Sequence, residues 1–383
     1  MKFALTDEQR ALQDAVRSYL RDKFGQQQVR EFYDDADSDG VPAGLWKALG
    51  EQGWLAVLVP EEHEGIGLGL LDAAVLARAF GAGTVPGPWL GTILVGEAVR
   101  LAGSDEQKKQ LLPRVAAGEV KGAVALLPAG SFTGAPATSS GGKLSGNLGL
   151  IEYAGVADTL VVAAQDGLYL VDPASATITP HESLDRTVRL ATVVLDGVSG
   201  DKLEGSTTET VQELIDRAAV LAANDLVGIA RKALSDTVEY DKTRVQFGKP
   251  VGSFQAIKHH LADIHLGVTM AEHAATYAAH AFDIDAPALT PLERQLAASI
   301  AKAKAGDMAS ESVGAMIQYH GGIGYTWEHD SHFYFKRCKR LEYQYGDASQ
   351  HRERIARIVV DSGGHEQAGT LGHESSGMAA GAS

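Results

Sequence analysis

The sequence predicts an α+β protein that is mainly helical, with a small β domain between two helical regions. The first and last thirds of the chain have apolar residues at helical spacing behind recognisable helix starts. Residues 118–205 instead hold short runs rich in valine and leucine, separated by Gly, Pro, Asp and Ser. The chain has 383 residues, more than the roughly 100–200 of one typical domain, so several domains are expected.

Residues 1–117 are predicted to form an N-terminal helical domain. Thr6 and Gln9 fit a capping box, in which each side chain satisfies a backbone donor of the other at the helix start. Ser104 is in the position of an N-cap for a helix predicted over residues 105–117. These signals are local, so they predict where helices begin without any knowledge of tertiary contacts.

The rest of the chain divides into three parts. Residues 118–205 are predicted to form a central β domain, an antiparallel barrel or sandwich. Residues 206–361 return to helical periodicity, and Ser206 with Glu209 fits a second capping box. Helices of roughly 30 residues joined by short turns predict a C-terminal four-helix bundle there. Residues 362–383 have no hydrophobic period and few bulky side chains, which predicts a disordered tail.

Composition and charge exclude several function classes. There are 34 Lys and Arg against 49 Asp and Glu, a formal net charge of -15, which argues against nucleic-acid or anionic-membrane binding because either surface repels an acidic protein. The one cysteine, Cys338, excludes an internal disulfide framework, a zinc ribbon and an iron–sulfur cluster. No signal-peptide core is present, and no stretch reaches the roughly 18 apolar residues that span a bilayer. A soluble, cytoplasmic protein is expected.

Several other motifs are incomplete. The glycines of residues 65–69 lack the strand–loop–helix unit and downstream acid of a phosphate loop, so they predict a turn with positive φ. The histidines of residues 259–265 have no partner at metal-ligand spacing, and no metal site is predicted. The basic residues of the 336–340 stretch fit either phosphate contacts or a solvated face with internal salt bridges.

Two segments combine groups that suit a ligand containing pyrophosphate. Residues 243–250 (TRVQFGKP) place a cation, amide donors, an aromatic ring and a glycine turn on one corner between two long helices. Residues 318–325 (QYHGGIGY) end a helix in glycines that expose backbone N–H groups. Taken alone, each segment is equally compatible with ordinary turn architecture.

Together these segments resemble the acyl-CoA dehydrogenase family, and the resemblance covers about residues 1–360. Similar stretches occur at residues 53–68, 103–119, 244–255 and 318–325, in the family's order and at its spacing. The resemblance implies the acyl-CoA dehydrogenase fold, with an N-terminal helical domain, a central β domain and a C-terminal four-helix bundle. It also implies FAD as the cofactor, an acyl-CoA substrate and an electron-transfer acceptor.

In that family each FAD site draws on two chains. One chain contacts the flavin ring and supplies a glutamate that removes a proton next to the thioester, while the neighbouring carbon passes hydride to the flavin. The dimer partner supplies the corner after the first long bundle helix and the glutamine–glycine turn. The partner-donated set is intact here. The residues that the resemblance assigns to FAD binding are Arg244, Gln246, Phe247, Phe254, Gln255, Gln318, Gly321 and Gly322.

The half that contacts the flavin ring departs from the family's pattern. Residues 126–132 are LLPAGSF where the family has Thr-Glu-Pro followed by Gly-Ser-Asp, and leucine cannot donate the hydrogen bond that a threonine hydroxyl gives to the flavin. Glu152 stands where the family has a threonine or serine, and would put negative charge near a ring that becomes anionic on reduction. Gly346 stands in the place of the usual glutamate.

No catalytic residue is therefore assigned. Some family members carry the base near the start of the first long bundle helix, but that position falls on Ala218 here, counting back from Arg244. Asp216 and Asp347 are close in sequence, yet a carboxylate moved by one residue loses the placement, to about 3 Å, that proton abstraction needs. Asp347 remains an alternative base, and its other predicted role is to cap the final helix.

The departures from the family's pattern fall in one half of the site. The residues that bind the FAD of a partner are kept, whereas the flavin-ring contacts and the base are missing. This pattern predicts a subunit of a heteromeric, α2β2 acyl-CoA dehydrogenase that completes the FAD site of a homologous partner subunit. The resemblance is to the paired actinobacterial enzymes of steroid degradation, which implies a bulky acyl-CoA substrate. Two alternatives stay open: a self-sufficient homotetrameric dehydrogenase that uses Asp347, and a non-catalytic acyl-CoA-binding scaffold.

Overall fold

Six helices open the chain, and their starts follow the sequence signals. The Thr6 hydroxyl accepts from the Gln9 N–H while the Gln9 side chain accepts from the Thr6 N–H, and Ser104 with Gln107 repeats the arrangement. The computed structural model describes residues 5–35, 38–283 and 289–361, so the tail predicted over 362–383 lies outside the described residues. The helices are α1 (Asp7–Lys23), α2 (Gln26–Asp34), α3 (Ala43–Glu51), α4 (Leu70–Ala82), α5 (Trp89–Ala102) and α6 (Asp105–Ala116).

Two four-stranded sheets follow and enclose a separate apolar core. The strands are β1 (Gly122–Ala125), β2 (Thr138–Ser140), β3 (Lys143–Glu152), β4 (Thr159–Ala164), β5 (Gly167–Val171), β6 (Thr177–His181), β7 (Leu190–Ser199) and β8 (Asp201–Lys202). The orders are β1-β4-β5-β8 and β2-β3-β7-β6, and Leu144, Val162 and Val193 pack between the sheets. The expectation of purely antiparallel pairing is wrong for β1 and β4, which run parallel because the chain crosses to the other sheet between them.

In the described part of the C-terminal region, residues 206–283 and 289–361, there are three long α-helices and two shorter ones. These are α7 (Thr208–Thr243), α8 (Gln255–His280), α9 (Pro291–His320), α10 (Ser331–Tyr343) and α11 (Ala348–Ala356). Helix α4 crosses α7 so closely that a Cβ on Gly228 would lie 2.1 Å from the Arg78 carbonyl oxygen. The N-terminal helices and the bundle therefore share one core. No helix of the described residues is long and apolar enough to cross a membrane.

One helix start differs from the prediction. Helix α7 is capped by Thr207, whose hydroxyl accepts from the Thr210 N–H, rather than by Ser206 with Glu209. The Ser206 hydroxyl is buried beside β5, where it accepts from the Leu168 N–H at 3.0 Å and donates to the Leu203 carbonyl at 2.6 Å. A buried hydroxyl must satisfy the polar groups around it, so tertiary packing overrides the local capping signal here.

A buried ion pair joins α10 to α7 and to the N-terminal region. The guanidinium of Arg337 lies 2.6 Å and 3.1 Å from the two carboxylate oxygens of Asp225, and it also donates to the Val85 carbonyl at 2.9 Å. Arg337 is 2% exposed and Asp225 is 1% exposed. Because neither charge meets water, each depends on the other, and the pair holds three parts of the chain at one point.

We expect Asp225→Ala to lower the free energy of unfolding by about 3–5 kcal/mol, because it leaves the Arg337 charge buried without a partner. Urea denaturation followed by circular dichroism measures this loss. The matched control is Lys242→Ala, which removes an exposed ion pair with Glu239 and should change the free energy by less than about 1 kcal/mol. Equal effects of the two substitutions would contradict the assignment of the Arg337–Asp225 pair as a structural link.

Candidate functional site

The two segments predicted to bind a pyrophosphate lie side by side at the ends of α7 and α9. Tyr240, one helical turn before Arg244, stacks on His320 with ring centroids 4.3 Å apart, and its hydroxyl donates to the His320 carbonyl at 3.4 Å. Helix α9 ends at His320, and Gly321 turns the chain with φ of 65°. This contact places the hairpin corner (residues 244–255) next to the glycine turn (residues 318–325).

The hairpin corner holds an aromatic ring in solvent. Strands β9 (Val245–Gln246) and β10 (Lys249–Pro250) pair antiparallel around a turn in which Phe247 has φ of 52°. The Phe247 ring is 91% exposed, and Phe254 meets it edge-on with centroids 6.1 Å apart. A left-handed conformation costs a residue other than glycine about 1–2 kcal/mol. A strained and exposed aromatic side chain is typical of a binding position rather than of a structural one.

The polar side chains of both segments are available for a ligand. Within the described part of the chain, the exposed side chains of Arg244, Gln246, Gln255 and Gln318 make no hydrogen bond or ion pair. Gly322 has open space where a Cβ would stand, as does Gly321, so a ligand can approach the backbone closely. A free guanidinium, free amides and an approachable backbone are the groups that bind a pyrophosphate.

A cavity of about 370 Å³ lies where the other half of the site is predicted, at the junction of the two helical regions with the β region. Its walls come from the start of α5, the ends of β1 and β3, and the turn between α10 and α11. The positions predicted for ring contact that line it include Leu126, Leu127, Ser131 and Glu152, and the predicted base positions that line it are Gly346 and Asp347.

Glu152 is not free in this cavity. Arg340 of α10 forms ion pairs with Glu152 and with Asp185, the latter with an Nε–Oδ2 distance of 2.8 Å. Burial alone would lower the pKa of Arg340, but the two carboxylates outweigh it and raise the pKa. The negative charge expected near the flavin ring is therefore neutralised inside the chain, by a residue that sequence reasoning placed only in a general basic cluster. Of the two interpretations of the basic stretch at residues 336–340, internal salt bridges are the correct one for Arg340.

An aromatic ring obstructs position 346, where the resemblance places the family's glutamate. Gly346 has φ of 97°, and a Cβ built on it would lie 2.6 Å from Cε2 and 2.7 Å from Cδ2 of Phe132. Phe132 packs in turn against His351, with ring centroids 4.6 Å apart. No side chain fits at position 346 unless Phe132 moves. The loop after β1 thus closes the space that a catalytic glutamate would occupy.

The carboxylate of Asp347 has a structural partner. It accepts from the Gln350 N–H at 2.8 Å while the Asp347 N–H donates to the Gln350 side chain, which confirms its predicted role as the cap of the final helix, α11. Buried Lys302 lies beneath this turn and donates to the carbonyls of Glu342 and Gly346 at 3.0 Å and 2.8 Å. Burial lowers the pKa of Lys302 to about 7. The turn that would carry the base is thus held rigidly.

Asp216, the other carboxylate near a family base position, also has a partner. It is buried in α7, where Arg354 of α11 lies 2.6 Å from it, and it does not line the cavity. Burial raises the pKa of Asp216, although Arg354 partly offsets this effect. Among the residues described by the structure, no group of three His, Cys, Asp or Glu side chains is placed to hold a metal ion.

Helical, β and helical regions that meet around one cavity define the class of protein as one with the acyl-CoA dehydrogenase fold. The Tcur3481-Tcur3483 steroid ACAD, solved as a variant, has a TM-score of 0.83 with 28% identity, covering 93% of this chain and 99% of that one. The ChsE4-ChsE5 complex from Mycobacterium tuberculosis has the same fold, with a TM-score of 0.83 at 24% identity over 93% of this chain and 98% of that one.

Sequence comparison identifies the family. The model of the acyl-CoA dehydrogenase N-terminal domain matches residues 6–119, and that of the C-terminal domain matches residues 208–360. Acyl-CoA dehydrogenase IpdE2 of Mycobacterium tuberculosis is 34% identical over 336 residues, which cover 87% of this chain and 91% of IpdE2. The chain belongs to the acyl-CoA dehydrogenase family. The predicted fold class and oxidoreductase class are confirmed, and FAD is the cofactor of the family.

We expect Gly346→Glu to destabilise the protein by about 2–4 kcal/mol, because the new side chain meets Phe132 and takes a left-handed conformation. In a double-mutant cycle with Phe132→Ala, the combined loss should be smaller than the sum of the single losses, since the ring no longer obstructs the new side chain. Thermal and urea unfolding measure all four proteins. The matched control is Gly314→Glu in α9, where nothing lies within 4 Å of a new Cβ and stability should not fall. Additive losses would contradict the assignment of Phe132 as the obstruction.

Proposed function

We propose that this chain is the accessory subunit of a heteromeric, α2β2 acyl-CoA dehydrogenase that desaturates a bulky acyl-CoA. It completes the FAD site of a homologous partner subunit and binds no flavin ring of its own. One contrast carries the proposal: in the half for ring and base, Phe132 blocks position 346 and Arg340 neutralises Glu152, whereas the exposed side chains of Arg244 and Gln318 have no partner among the described residues.

The two halves of the FAD site fit the cofactor differently. Arg244, Gln318 and the open backbone at Gly321 suit the pyrophosphate and adenosine end, because they offer a fixed cation, an amide and close approach. Glu152 and Leu126 in the ring half supply no free donor for the flavin. One FAD per heterodimer follows from this difference, with ring contacts and base contributed by the partner.

This chain's part in the reaction is then to bind and orient. The bound flavin supplies the acceptor for hydride. Arg244 would neutralise pyrophosphate charge, Gln318 would fix the nucleotide's orientation, and Phe247 would cover it from solvent. Groups that position the cofactor raise the reaction rate even though they never touch the reacting carbons. A ring displaced by about 1 Å can lower the rate roughly a hundredfold.

The comparisons agree with a two-chain enzyme. One solved relative is a complex of two named chains, ChsE4 and ChsE5, and another is a steroid ACAD named from two, Tcur3481 and Tcur3483. Heteromeric assembly, and a steroid-derived acyl group as the bulky substrate, are therefore part of the proposal for this chain. Reduced flavin would be reoxidised by an electron-transfer acceptor.

A self-sufficient enzyme using Asp347 is the second candidate, because this carboxylate lines the cavity. The substitution Asp347→Asn distinguishes the two candidates, since asparagine caps a helix as well as aspartate but cannot act as a base. If this chain supplied the base, turnover would be abolished. Under the main proposal the heteromeric complex keeps its activity.

We expect this chain alone to purify without flavin, and a complex with a homologous subunit that has the Thr-Glu-Pro segment and the glutamate to hold about one FAD per heterodimer. Absorbance spectra and native mass spectrometry of the purified proteins measure the flavin content. FAD bound to this chain alone, together with acyl-CoA dehydrogenase activity, would overturn the proposal.

In the same complex, Arg244→Ala should weaken FAD binding by about tenfold or more, because it removes a charge-assisted contact to the pyrophosphate. Fluorescence titration of the flavin-stripped complex measures the dissociation constant. The matched control is Arg114→Ala in α6, an exposed arginine far along the chain from both binding segments, which should leave the constant unchanged. If Arg244→Ala also left it unchanged, the assignment of the hairpin corner to FAD would be wrong.

A further inference from the structure

A second cavity, of about 700 Å³, lies between α7 and α8 outside the site described above. Its walls are largely apolar and include Leu234, Val238 and Leu261. Pro250 also lines it, so the cavity is continuous with the hairpin corner. We call it the Asp241 cavity, after the residue that lines it near the end of α7.

Asp241 has an unsatisfied carboxylate. The residue is 1% exposed, and both of its carboxylate oxygens are buried with no hydrogen-bond donor in the described part of the chain. Burial raises the pKa of Asp241 to about 6. An ionised group that is buried without a partner destabilises the folded chain. A donor from outside the chain would remove that penalty.

The cations of α7 do not serve this carboxylate. Arg231 lies on the cavity wall but pairs with Glu272, at 2.6 Å. Lys242 lies next to Asp241 in the chain but pairs with Glu239, also at 2.6 Å. Both charges are therefore already neutralised by carboxylates of the same chain.

The groups of α8 and α9 do not serve it either. Lys258 and His265 of α8 are exposed at the rim of the cavity, and neither offsets the raised pKa of Asp241. Tyr319 of α9 is close enough that Asp241 adds to the effect of burial in raising its pKa. Its hydroxyl is engaged with His260 at 2.6 Å. The remaining cavity-lining residue of the connecting turn, Ser253, donates to the Pro250 carbonyl.

We propose that the Asp241 cavity receives an arginine side chain of the homologous partner subunit. A guanidinium donates two parallel hydrogen bonds, which matches a carboxylate with both oxygens free. The apolar walls suit the methylene stem of an arginine, whose charged end alone needs polar surroundings. The cavity also adjoins the hairpin corner that the proposed function turns towards the partner, and on that function this inference rests.

The substitution Asp241→Asn tests this inference through two effects of opposite sign. In the isolated chain it should raise the melting temperature at pH 7.5, because it removes a buried charge that has no partner. In the complex with the homologous subunit it should raise the dissociation constant of the subunits by about tenfold or more, because the guanidinium loses its carboxylate. The matched control is Asp236→Asn on the same helix, a carboxylate paired with Lys232 outside the cavity, which should leave subunit affinity unchanged.

The pH dependence gives a second readout. Protonation of Asp241 below about pH 6 in the free chain competes with the guanidinium, so subunit affinity should fall as the pH drops below 6. The subunit affinity of the Asp241→Asn complex should not show this fall below pH 6. The gain in stability of the isolated variant should be full above pH 6 and vanish near pH 4, about the ordinary pKa of an aspartate.

Analytical ultracentrifugation and titration of carbon-13-labelled Asp241 separate the outcomes. A heteromer whose affinity is unchanged by Asp241→Asn overturns this inference and leaves the proposed function standing. A pKa of Asp241 at or below its ordinary value in the isolated chain also overturns it, since a group such as Lys258 would then already be its partner. A chain that forms no heteromer, and assembles only with copies of itself, overturns both proposals.

Discussion

The structure depends on two arginines of α10, the buried Arg337 and the partly buried Arg340, which pair with carboxylates from other parts of the chain. Arg337 joins α10 to α7 through Asp225 and to the N-terminal region through the Val85 carbonyl, and Arg340 joins α10 to the β region through Glu152 and Asp185. A buried charge is stable only beside its partner, so these pairs allow one arrangement of the helical and β regions. Both pairs lie in the wall of the cavity between these regions. The ion pairs that connect the regions therefore also leave these charged side chains of the wall already paired.

The features that a ligand or a partner subunit would complete lie at the other end of the bundle. Phe247 is held in a left-handed conformation in solvent, and among the described residues Arg244 has no partner and the buried Asp241 has no donor. All three lie within one segment at the end of α7. The strained backbone of Phe247 and the buried carboxylate of Asp241 cost stability in the isolated chain. A cofactor and a partner subunit at this surface would satisfy them together. The chain therefore pairs the charges at its own cavity and leaves groups unpartnered at its surface.

Local sequence signals predicted helix starts whose caps depend only on residues close together in the sequence. The capping box of Thr6 and the cap at Asp347 were predicted correctly, because a cap needs only a side chain and a backbone N–H three residues away. Ser206 failed as a cap because its hydroxyl is buried against β5. The contact between Phe132 and Gly346 was not predictable, because it joins a loop after β1 to the turn before α11 and has no periodic signature.

The sequence by itself determined the helical–β–helical order, the family and the absence of a glutamate at position 346, since these follow from local pattern and residue identity. Only the tertiary structure decided that Glu152 is neutralised by Arg340, that Phe132 obstructs position 346, and that Asp241 has no partner among the described residues. The physical reason is distance along the chain. The charge and burial of a side chain depend on neighbours that are more than a hundred residues away in sequence, as they are for Glu152 and Arg340.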